Sequence, residues 1–473
     1  MSKFYITTTL PYVNAEPHIG FAMEIIMADV LARHHRQMGD EVFFNTGTDE
    51  HGLKVYRKAQ ELGVDTQKYC DEQAPNYKNL RALLNLSWDN FIRTTGTQHV
   101  KAAQEFWKKC DANGYITKKK YRIKYCVGCE LEKTESELVN GCCPLHPDMA
   151  LEIIEEENYF FEFSKFQQKL LALYEKNPEF VLPAKKYNEI KKFVEMGLED
   201  FSISRLRAKM PWGIEVPGDV DHVMYVWFDA LVSYIAALGW PSDSEKFNAW
   251  WPGVQIAGKD NLRQQSAMWQ AMLMAAGLPN SRQIFIGGFI TVGGQKMSKS
   301  LGNVISPAQM IEKFGVDGTR YLLLTLGGFG EDVDVTLERL TEKYNADLAN
   351  GLGNLISRVF NLIENNFDGK IEAADGMNLE IADLIKEMKL FEAFQKIKEK
   401  IVWANQYIDE TKIWELVKND KPKAKKVLVE LLGAIIKIGE SLAPFMPETS
   451  KKILEAVKAE KIKKGEALFP RII

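Results

Sequence analysis

The order of the elements predicted at the N-terminus is the feature that most constrains the fold. Lys3–Thr9 is a β-branched and aromatic run typical of a strand, and Phe21–Met38 has apolar residues at helical spacing up to Gly39. Glu41–Asn45 predicts the next strand. A strand, a loop, a helix and a strand in this order predict a βαβ unit, the start of a doubly wound parallel sheet.

Changes in the pattern of predicted strands and helices divide the rest of the chain into segments. Short strand-like runs alternate with turns in residues 116–163, strand and helix patterns return from Met224, and Ile284–Ile290 predicts another buried strand. From about Arg339 onward, heptad-like apolar spacing dominates and predicts a helical bundle. The predicted segments are residues 1–115 and 224–290 for the two halves of a Rossmann-type sheet domain, 116–223 for a connective insertion, 291–338 for a loop and linker, and 339–473 for an α-helical bundle.

Length and charge exclude several classes of protein. The 473 residues exceed the roughly 100–200 that one domain usually needs. No apolar run approaches the ~20 residues of a membrane helix, and the first residues lack the basic-then-apolar order of a secretory signal, so we expect a cytoplasmic protein without membrane contact. The net charge of -4 does not favour nucleic-acid binding, although a local basic face would suffice. Lysine-rich stretches such as Lys118–Lys120 and Lys421–Lys426 are also typical of solvated faces.

A cysteine cluster in the insertion predicts a metal site. Cys126 and Cys129 form one pair with two residues between them, and Cys143 and His146 form a second pair at the same spacing. Three thiolates and an imidazole suit tetrahedral Zn²⁺, and four protein ligands indicate one structural zinc per chain rather than a catalytic one. Cys142 is an alternative ligand by adjacency, but the repeated spacing favours Cys143. The alternative is a set of unligated cysteines.

Two further stretches could bind phosphate. His18 and Gly20 stand where the predicted loop meets the predicted helix, and a helix N-terminus attracts anions. Lys296–Ser300 reads Lys-Met-Ser-Lys-Ser after two glycines, so a mobile loop would carry two cations and two hydroxyl donors. Taken alone, His18 would more often be an unrelated turn histidine, and Lys296–Ser300 could equally be a solvated turn.

Together these stretches resemble the two signatures of class I aminoacyl-tRNA synthetases. The resemblance implies ATP binding, with Mg²⁺ arriving on the nucleotide. The second signature is complete, whereas the first ends in Phe21 where the family normally has histidine. The family's roles carry over to His18, Lys296 and Lys299 as catalytic residues that stabilise the phosphates. The implied ATP-binding residues are His18, Gly20, Lys296, Ser298 and Lys299.

Further stretches resemble the methionyl-tRNA synthetases. They are Thr9–Asn14, Thr46–Gly52 and Tyr225–Tyr234, in the family's order, and the zinc knuckle also matches that of single-zinc members. A methionine pocket should be aromatic and apolar around the thioether, and Asp49 would hold the substrate ammonium, near the matching Arg205. The implied methionine-binding residues are Leu10, Tyr12, Asp49, Trp227, Ala230, Leu231, Tyr234 and Gln265.

Two observations bear on this choice of amino acid. Trp227, Ala230, Leu231 and Tyr234 have the spacing of one helix face, which is also typical of ordinary core packing. Asn261 and Gln265 stand where the family more often has an apolar residue and a histidine, although Gln265 can still donate and accept hydrogen bonds. The leucyl, isoleucyl and valyl relatives usually carry a large editing insertion, for which this chain is too short.

The helical end resembles the family's anticodon-binding domain. The similar stretches are Asn350–Arg358 and Ile408–Trp414, and the resemblance implies that Asn354, Arg358 and Trp414 read the anticodon of tRNA(Met). Taken alone, Trp414 would more often be a core residue. Some relatives continue into a dimerising β-barrel after the bundle, and since this chain ends soon after it, a monomer is expected.

The expected function is therefore that of a methionyl-tRNA synthetase, with tRNA(Met), ATP and methionine as partners. One rival is another class I synthetase, for leucine, valine or cysteine, which a pyrophosphate-exchange panel across amino acids would identify. A second rival is a non-catalytic RNA-binding paralogue. Intact Lys296–Ser300 and Asp49 argue against it, and ATP-dependent adenylate formation would exclude it.

Overall fold

The computed structural model describes residues 2–133, 137–297 and 303–473. They form two compact units, each assembled from separate stretches of chain. The first unit contains residues up to Pro17, Asp40–Asn79 and Trp88–Gly287, and the second contains His18–Gly39, Leu80–Ser87 and Gly288–Ile473. The five segment boundaries predicted from the sequence stay predictions. Within the described ranges, no helix combines the length and the apolar character needed to cross a membrane.

A parallel sheet forms the centre of the first unit. The strands of this unit are β1 (Lys3–Thr8), β2 (Glu41–Thr48), β3 (Asn90–Arg93), β4 (Ile116–Cys126), β5 (Leu131–Lys133), β6 (Glu152–Phe161), β7 (Val181–Leu182), β8 (Phe201–Ser202), β9 (Ser204–Leu206), β10 (Glu215–Val216), β11 (Asp219–Met224), β12 (Val254–Ala257) and β13 (Gln283–Ile286). Six of them make one sheet in the order β3-β2-β1-β12-β13-β7, and every pairing in it is parallel. The last five residues of β1 are all buried, as expected for a strand inside a parallel sheet. The predicted α/β class is confirmed.

Two smaller sheets complete the first unit. The order β5-β4-β6-β8 is antiparallel and contains the strands within residues 116–163, where strand-like runs were predicted, and β10-β11-β9 forms a separate antiparallel sheet. The core of the unit is rich in aromatic rings. Trp269 is completely buried, and its ring stacks on that of Phe106 with centroids 5.6 Å apart. This packing holds the sheet strands and the pocket-lining segments in one apolar core.

The helices follow the predicted distribution and dominate the C-terminal third. In chain order they are α1 (Ile19–Gln37), α2 (Leu53–Glu61), α3 (Thr66–Lys78), α4 (Leu80–Leu83), α5 (Thr97–Ala112), α6 (Gln167–Lys176), α7 (Ala184–Glu195), α8 (Val226–Ala230), α9 (Ser233–Ala236), α10 (Ser244–Trp250), α11 (Trp269–Ala275), α12 (Pro307–Leu324), α13 (Leu337–Tyr344), α14 (Asn354–Phe367), α15 (Ala382–Lys386), α16 (Leu390–Glu410), α17 (Ile413–Asn419), α18 (Lys421–Leu442) and α19 (Pro447–Lys458). The predicted helical C-terminal region is confirmed.

The second unit begins with a small sheet whose strands are β14 (Ile290–Val292), β15 (Gln295–Lys296) and β16 (Val333–Val335). The prediction of one strand over Ile284–Ile290 is therefore wrong, because its two ends belong to different sheets. Gly287 and Gly288 separate them, and a Cβ on Gly288 would lie 1.9 Å from the carbonyl oxygen of Glu331. Only glycine allows the two backbones to approach this closely.

A buried ion pair organises the second unit. Arg320 on α12 has no exposed surface, and its Nη2 lies 2.8 Å from Oδ2 of Asp29 on α1. The same guanidinium donates to three main-chain carbonyls, those of Phe445 (2.8 Å), Leu84 (3.1 Å) and Pro444 (3.1 Å). One side chain thus joins α1, the segment after α4, α12 and the turn before α19.

Candidate active site and metal centre

The residues predicted to hold an amino acid surround a cavity in the first unit. The cavity has a volume of about 290 Å³ including its open mouth. Its lining consists of Thr9, Leu10, Asp49, Trp227, Ala230, Leu231, Tyr234, Asn261 and Gln265. Tyr12 lies beside this lining, with its ring 6.4 Å from that of Trp227 in an edge-to-face arrangement. An apolar and aromatic wall with a few polar groups is typical of a small-molecule site.

The helix predicted to carry four of these residues is interrupted. α8 ends at Ala230 and α9 begins at Ser233, with a turn between them. The helical spacing nevertheless survives the turn, since the N–H of Leu231 donates to the carbonyl of Trp227 at 3.4 Å. Trp227, Ala230, Leu231 and Tyr234 all reach the cavity, so the spacing marks a pocket wall as well as a core face.

Asp49 is the charged group of this cavity. It follows β2, and its main chain pairs with the loop after β1: its N–H donates to Pro11 (2.9 Å) and its carbonyl accepts from Val13 (3.3 Å). The side chain is 2% exposed, and its carboxylate accepts a long hydrogen bond from the N–H of His51 at 3.4 Å. Burial, and next the carboxylate of Asp229, raise the pKa of Asp49 well above its usual range. A cation such as an ammonium group would stabilise the ionised form.

Asp229 is a functional candidate that sequence reasoning missed. It is fully buried, its Oδ2 lies 2.6 Å from Nδ1 of His51, and its Oδ1 lies 2.5 Å from Nε2 of His99. Burial acts to raise the pKa of Asp229, but interactions with the two histidines outweigh it and lower the pKa. A carboxylate inside the apolar stretch Tyr225–Tyr234 is the signal that could have identified it.

Gln265 provides the polar end of the cavity. It lies in a short π-helical segment, Gln264–Met268, and is 1% exposed. Its Nε2 donates to the hydroxyl of Tyr234 at 2.5 Å. π-helical turns often occur at functional sites because they redirect a side chain. Arg205, expected near Asp49, donates to Ser202 and lies against the ring of Tyr225 at 4.5 Å.

The first phosphate-binding candidate lies at the start of α1. His18 is the N-cap residue, and its Nδ1 accepts from the N–H of Gly20 at 3.1 Å. In the neutral ring the hydrogen must then be on Nε2, which is a donor. A Cβ on Gly20 would lie 2.9 Å from the His18 ring, which explains the glycine. Phe21, which stands where the family normally has histidine, is a buried residue of α1 and offers no polar group.

The second candidate begins in a tight hairpin. β14 and β15 are antiparallel and are joined by Gly293 and Gly294, both with positive φ (61° and 76°). Two consecutive glycines in this conformation match the twist of a two-residue hairpin. Lys296 lies in β15 at the end of the hairpin, whereas Ser298 and Lys299 lie outside the described residues.

Asp334 on β16 stabilises this hairpin and is a second residue that sequence reasoning missed. Its Oδ1 accepts from the N–H of Gly294 at 2.7 Å and from the hydroxyl of Thr291 at 2.8 Å. The hydrogen bond from the backbone of Gly294 and the one from the Thr291 hydroxyl both lower the pKa of Asp334. The carboxylate therefore stays ionised and keeps the strand before the Lys-Met-Ser-Lys-Ser signature in place.

The four predicted zinc ligands come together. One ligand atom from each of Cys126, Cys129, Cys143 and His146 can be chosen so that all lie within 4.8 Å of one another. Sγ of Cys129 is 3.4 Å from Sγ of Cys143 and 3.3 Å from Nδ1 of His146. Cys142 lies outside this group. The donor set and its closeness fit tetrahedral Zn²⁺.

A glycine makes room for the histidine of this group. A Cβ on Gly128, between the two cysteines of the first pair, would lie 2.5 Å from the ring of His146. Cys126 and Cys143 are buried, while Cys129 and His146 are half-buried. Cys126 ends β4, whereas Cys129, Cys143 and His146 lie outside the helices and strands, so a bound ion would cross-link the loops to the sheet.

The residues predicted to read an anticodon lie on two helices of the second unit, α14 and α17. Arg358 of α14 pairs with Asp409 of α16 at 2.6 Å, and Asn354 donates to Asn405 at 3.3 Å. Trp414, in the first turn of α17, is 43% exposed, so the alternative of a core residue is wrong.

A second exposed tryptophan was not predicted. Trp403 on α16 is 38% exposed, but its ring stacks on Tyr407 with centroids 5.3 Å apart. The ammonium of Lys400 lies 3.7 Å from the centroid of the same ring. Neighbours on its own helix therefore already contact this ring, in contrast to the exposed Trp414.

Family models match nearly the whole chain. Residues 4–150 and 132–360 match class I tRNA synthetases (M), and residues 371–468 match the anticodon-binding domain of methionyl tRNA ligase. The chain belongs to the methionyl-tRNA synthetase family. It is thus an enzyme of the aminoacyl-tRNA synthetase class, and the predicted family and enzyme type are confirmed.

Two methionine–tRNA ligases are similar to this chain over most of their length. The methionine–tRNA ligase of Thermotoga maritima is 42% identical and covers 97% of this chain and 76% of its own length. That of Brucella suis is 40% identical and covers 97% of this chain and 93% of its own length. The rival assignment to leucine, valine or cysteine is therefore wrong.

Solved structures agree with this family. The methionyl-tRNA synthetase of Mycobacterium tuberculosis in complex with methionyl-adenylate superposes with a TM-score of 0.90 at 35% identity, covering 100% of this chain and 99% of that one. The apo form of the same enzyme gives a TM-score of 0.84 at 31% identity, with the same coverage. The parallel sheet, the insertion and the helical end described above are thus those of a methionyl-tRNA synthetase.

Proposed function

We propose that this chain activates methionine with ATP and then transfers the methionyl group to tRNA(Met). In the first step, a methionine carboxylate oxygen attacks the α-phosphorus of ATP, the bond to pyrophosphate breaks, and methionyl-adenylate forms. In the second, the terminal ribose hydroxyl of the tRNA attacks the methionyl carbonyl and AMP leaves. The observation that carries this proposal is a buried carboxylate, Asp49, beside an apolar and aromatic cavity, a combination that suits an amino acid with a long apolar side chain.

The cavity divides the recognition of methionine between charge and shape. The carboxylate of Asp49 binds the ammonium group, and the positive charge of that group stabilises the ionised form of Asp49. Leu10, Tyr12, Trp227, Ala230 and Leu231 surround the thioether chain, where sulfur–ring contacts are favourable. Tyr234 and Gln265 close the polar end. This division explains how one site can hold a zwitterion and an apolar chain together.

ATP binding depends on the residues of the second unit. His18 offers a donor at Nε2 because its Nδ1 is occupied by the N–H of Gly20. Lys296 and Lys299 supply positive charge, and Ser298 a hydroxyl, for the phosphates that carry Mg²⁺. No protein nucleophile is required, so catalysis consists of positioning and of stabilising charge on the leaving pyrophosphate.

The helical end selects the tRNA. Asn354 and Arg358 present hydrogen-bonding groups, and the exposed ring of Trp414 offers a stacking surface for an unpaired base. Zn²⁺ held by Cys126, Cys129, Cys143 and His146 would stabilise the insertion by cross-linking its loops, without a part in the reaction. Since ATP and tRNA are used in the cytoplasm, we place the reaction there.

Amino-acid-dependent ATP–pyrophosphate exchange tests the proposal. The purified chain is assayed with methionine, leucine, isoleucine, valine and cysteine, and methionine should give a kcat/KM at least about 100-fold above the others, because the pocket contacts differ by several kcal/mol. Equal exchange with a second amino acid would overturn the choice of methionine. The Phe21→His variant, assayed in parallel, shows whether the altered first signature limits the rate.

A further inference from the structure

Behind the cavity, a chain of buried polar side chains leads away from Tyr234. Gln265 Nε2 donates to the Tyr234 hydroxyl (2.5 Å), and Gln265 Oε1 accepts from Nε2 of Gln255 (3.1 Å). Oε1 of Gln255 accepts from the hydroxyl of Ser281 (2.6 Å), which in turn accepts from Nε2 of Gln270 (3.0 Å). Each of these side chains is at most 5% exposed. Buried amides of this kind are costly unless they are satisfied.

The far end of this relay has a fixed direction. The main-chain N–H of Ser281 can only donate, and it donates to Oε1 of Gln270 at 3.0 Å. The main-chain carbonyl of Gln265 can only accept, and it accepts from Nε2 of Gln270 at 2.9 Å. These two contacts set which end of the Gln270 amide carries oxygen. Nε2 of Gln270 must therefore donate to the Ser281 hydroxyl.

This direction is passed on to the cavity. The Ser281 hydroxyl already accepts from Gln270 and gives its own hydrogen to Gln255. If the Gln255 amide were reversed, no acceptor among the described residues would remain for that hydrogen. Gln255 must then donate to Gln265, and Gln265 must donate to Tyr234. Because the hydroxyl of Tyr234 accepts from Gln265, its own hydrogen is not used on Gln265 and can be donated to a bound side chain.

We propose that Gln270, Ser281 and Gln255 are positioning residues that set the direction of the Tyr234 hydroxyl and thereby the choice of side chain at the end of the cavity. The proposal rests on methionine being the substrate. A donor at this end suits the thioether sulfur, a weak acceptor, and gains nothing from the methylene of norleucine, which has the same length. If the relay is cut, Gln265 can reverse and accept from Tyr234, and the preference for sulfur falls.

The test compares methionine with norleucine in ATP–pyrophosphate exchange. The variants Ser281→Ala and Gln255→Met each cut the relay, one at the hydroxyl and one at an amide. Both should lower the methionine-over-norleucine ratio of kcat/KM by about three- to tenfold, the effect of one hydrogen bond, and leave the KM for ATP unchanged. The ratio is measured within one preparation, so partial unfolding does not change it. Ser281→Thr keeps the hydroxyl and should restore the ratio.

Ser266→Ala is the matched control. Ser266 is also buried and lies in the same π-helical segment as Gln265, but its Oγ has no hydrogen-bond partner among the described residues. It should keep the wild-type ratio. Unchanged ratios in both Ser281→Ala and Gln255→Met, with normal methionine activity of the wild type, would overturn the relay and leave the proposed function intact. A wild type without methionine-dependent exchange would instead contradict the proposed function.

Discussion

Burial and the neighbouring carboxylate of Asp229 raise the pKa of Asp49 well above its usual range. Burial acts to raise the pKa of Asp229, but its charge interactions and hydrogen bonds with His51 and His99 lower that pKa. The two carboxylates therefore differ in role. Asp229 keeps its charge in the protein alone, whereas Asp49 ionises readily only when a cation is bound beside it. From this asymmetry we infer that Asp49 is the group that binds the substrate ammonium.

The substitution Asp49→Asn should lower kcat/KM for methionine by roughly 10- to 100-fold, because a hydrogen bond to a charged group is lost. The KM for ATP should change little. Pyrophosphate exchange at varied methionine measures both constants. In the wild type, KM for methionine should fall as the pH rises through the raised pKa of Asp49, and this dependence should disappear in the variant.

The same substitution should stabilise the ligand-free protein at high pH. Because the folded-state pKa of Asp49 is raised, its contribution to stability is present at low pH and is lost as the pH rises through that pKa. Asparagine does not titrate, so the variant should gain about 1–3 kcal/mol over the wild type at pH 8 and less at pH 5. Urea unfolding at both pH values checks this. A difference that is independent of pH would contradict the raised pKa.

Zinc binding distinguishes two adjacent cysteines. Cys143→Ser removes a thiolate from the group of four and should abolish zinc binding, whereas Cys142→Ser should retain one zinc per chain. Metal analysis of the purified variants measures the content directly. Chelation should make the insertion more sensitive to protease and lower exchange activity indirectly. Fully active wild type that contains no zinc would refute the structural role.

The exposed tryptophans of the helical end provide a matched pair. Trp414→Ala should lower the rate of tRNA(Met) charging at least tenfold, since stacking on an unpaired base contributes about 1–3 kcal/mol, and leave pyrophosphate exchange nearly unchanged. Trp403→Ala removes a ring of similar exposure that already contacts Tyr407 and Lys400, so it should affect charging much less. Equal loss of charging and exchange in Trp414→Ala would argue against an anticodon role.

Patterns within short stretches of sequence predicted the features that depend on residues close together in the chain. The spacing of Cys126, Cys129, Cys143 and His146 was enough to predict a cluster. The strand, helix and strand order at the N-terminus predicted the parallel sheet, and apolar spacing predicted the helical end. Signature stretches likewise predicted most of the cavity lining. In each case the residues that matter are close in sequence or follow the period of one element.

Contacts between distant residues could not be predicted in this way. The hydrogen bond from His99 to Asp229 joins residues 130 positions apart, and the relay from Tyr234 to Gln270 depends on a π-helical turn that has no sequence signal. Asp334 stabilises the glycine hairpin because β16 pairs with β14, a pairing that only the fold reveals. Buried polar residues acquire their roles from tertiary packing, which outweighs local preference.

The ion pair between Arg320 and Asp29 should be the most costly single contact to break in the second unit. Both side chains are fully buried. Burial acts to raise the pKa of Asp29, but the positive charges of Arg320 and Arg33 lower it below its usual value. The contribution of the ionised Asp29 to stability is therefore present near neutral pH and is lost as the pH falls through the lowered pKa of Asp29. Arg320→Met leaves a buried carboxylate without its main partner and should cost about 3–5 kcal/mol in urea unfolding at pH 7. Arg358→Met breaks the more exposed pair with Asp409, which is 2.6 Å long, and should cost less than about 1 kcal/mol. If both variants lose the same free energy of unfolding, burial does not explain the contribution of the Arg320 pair to stability.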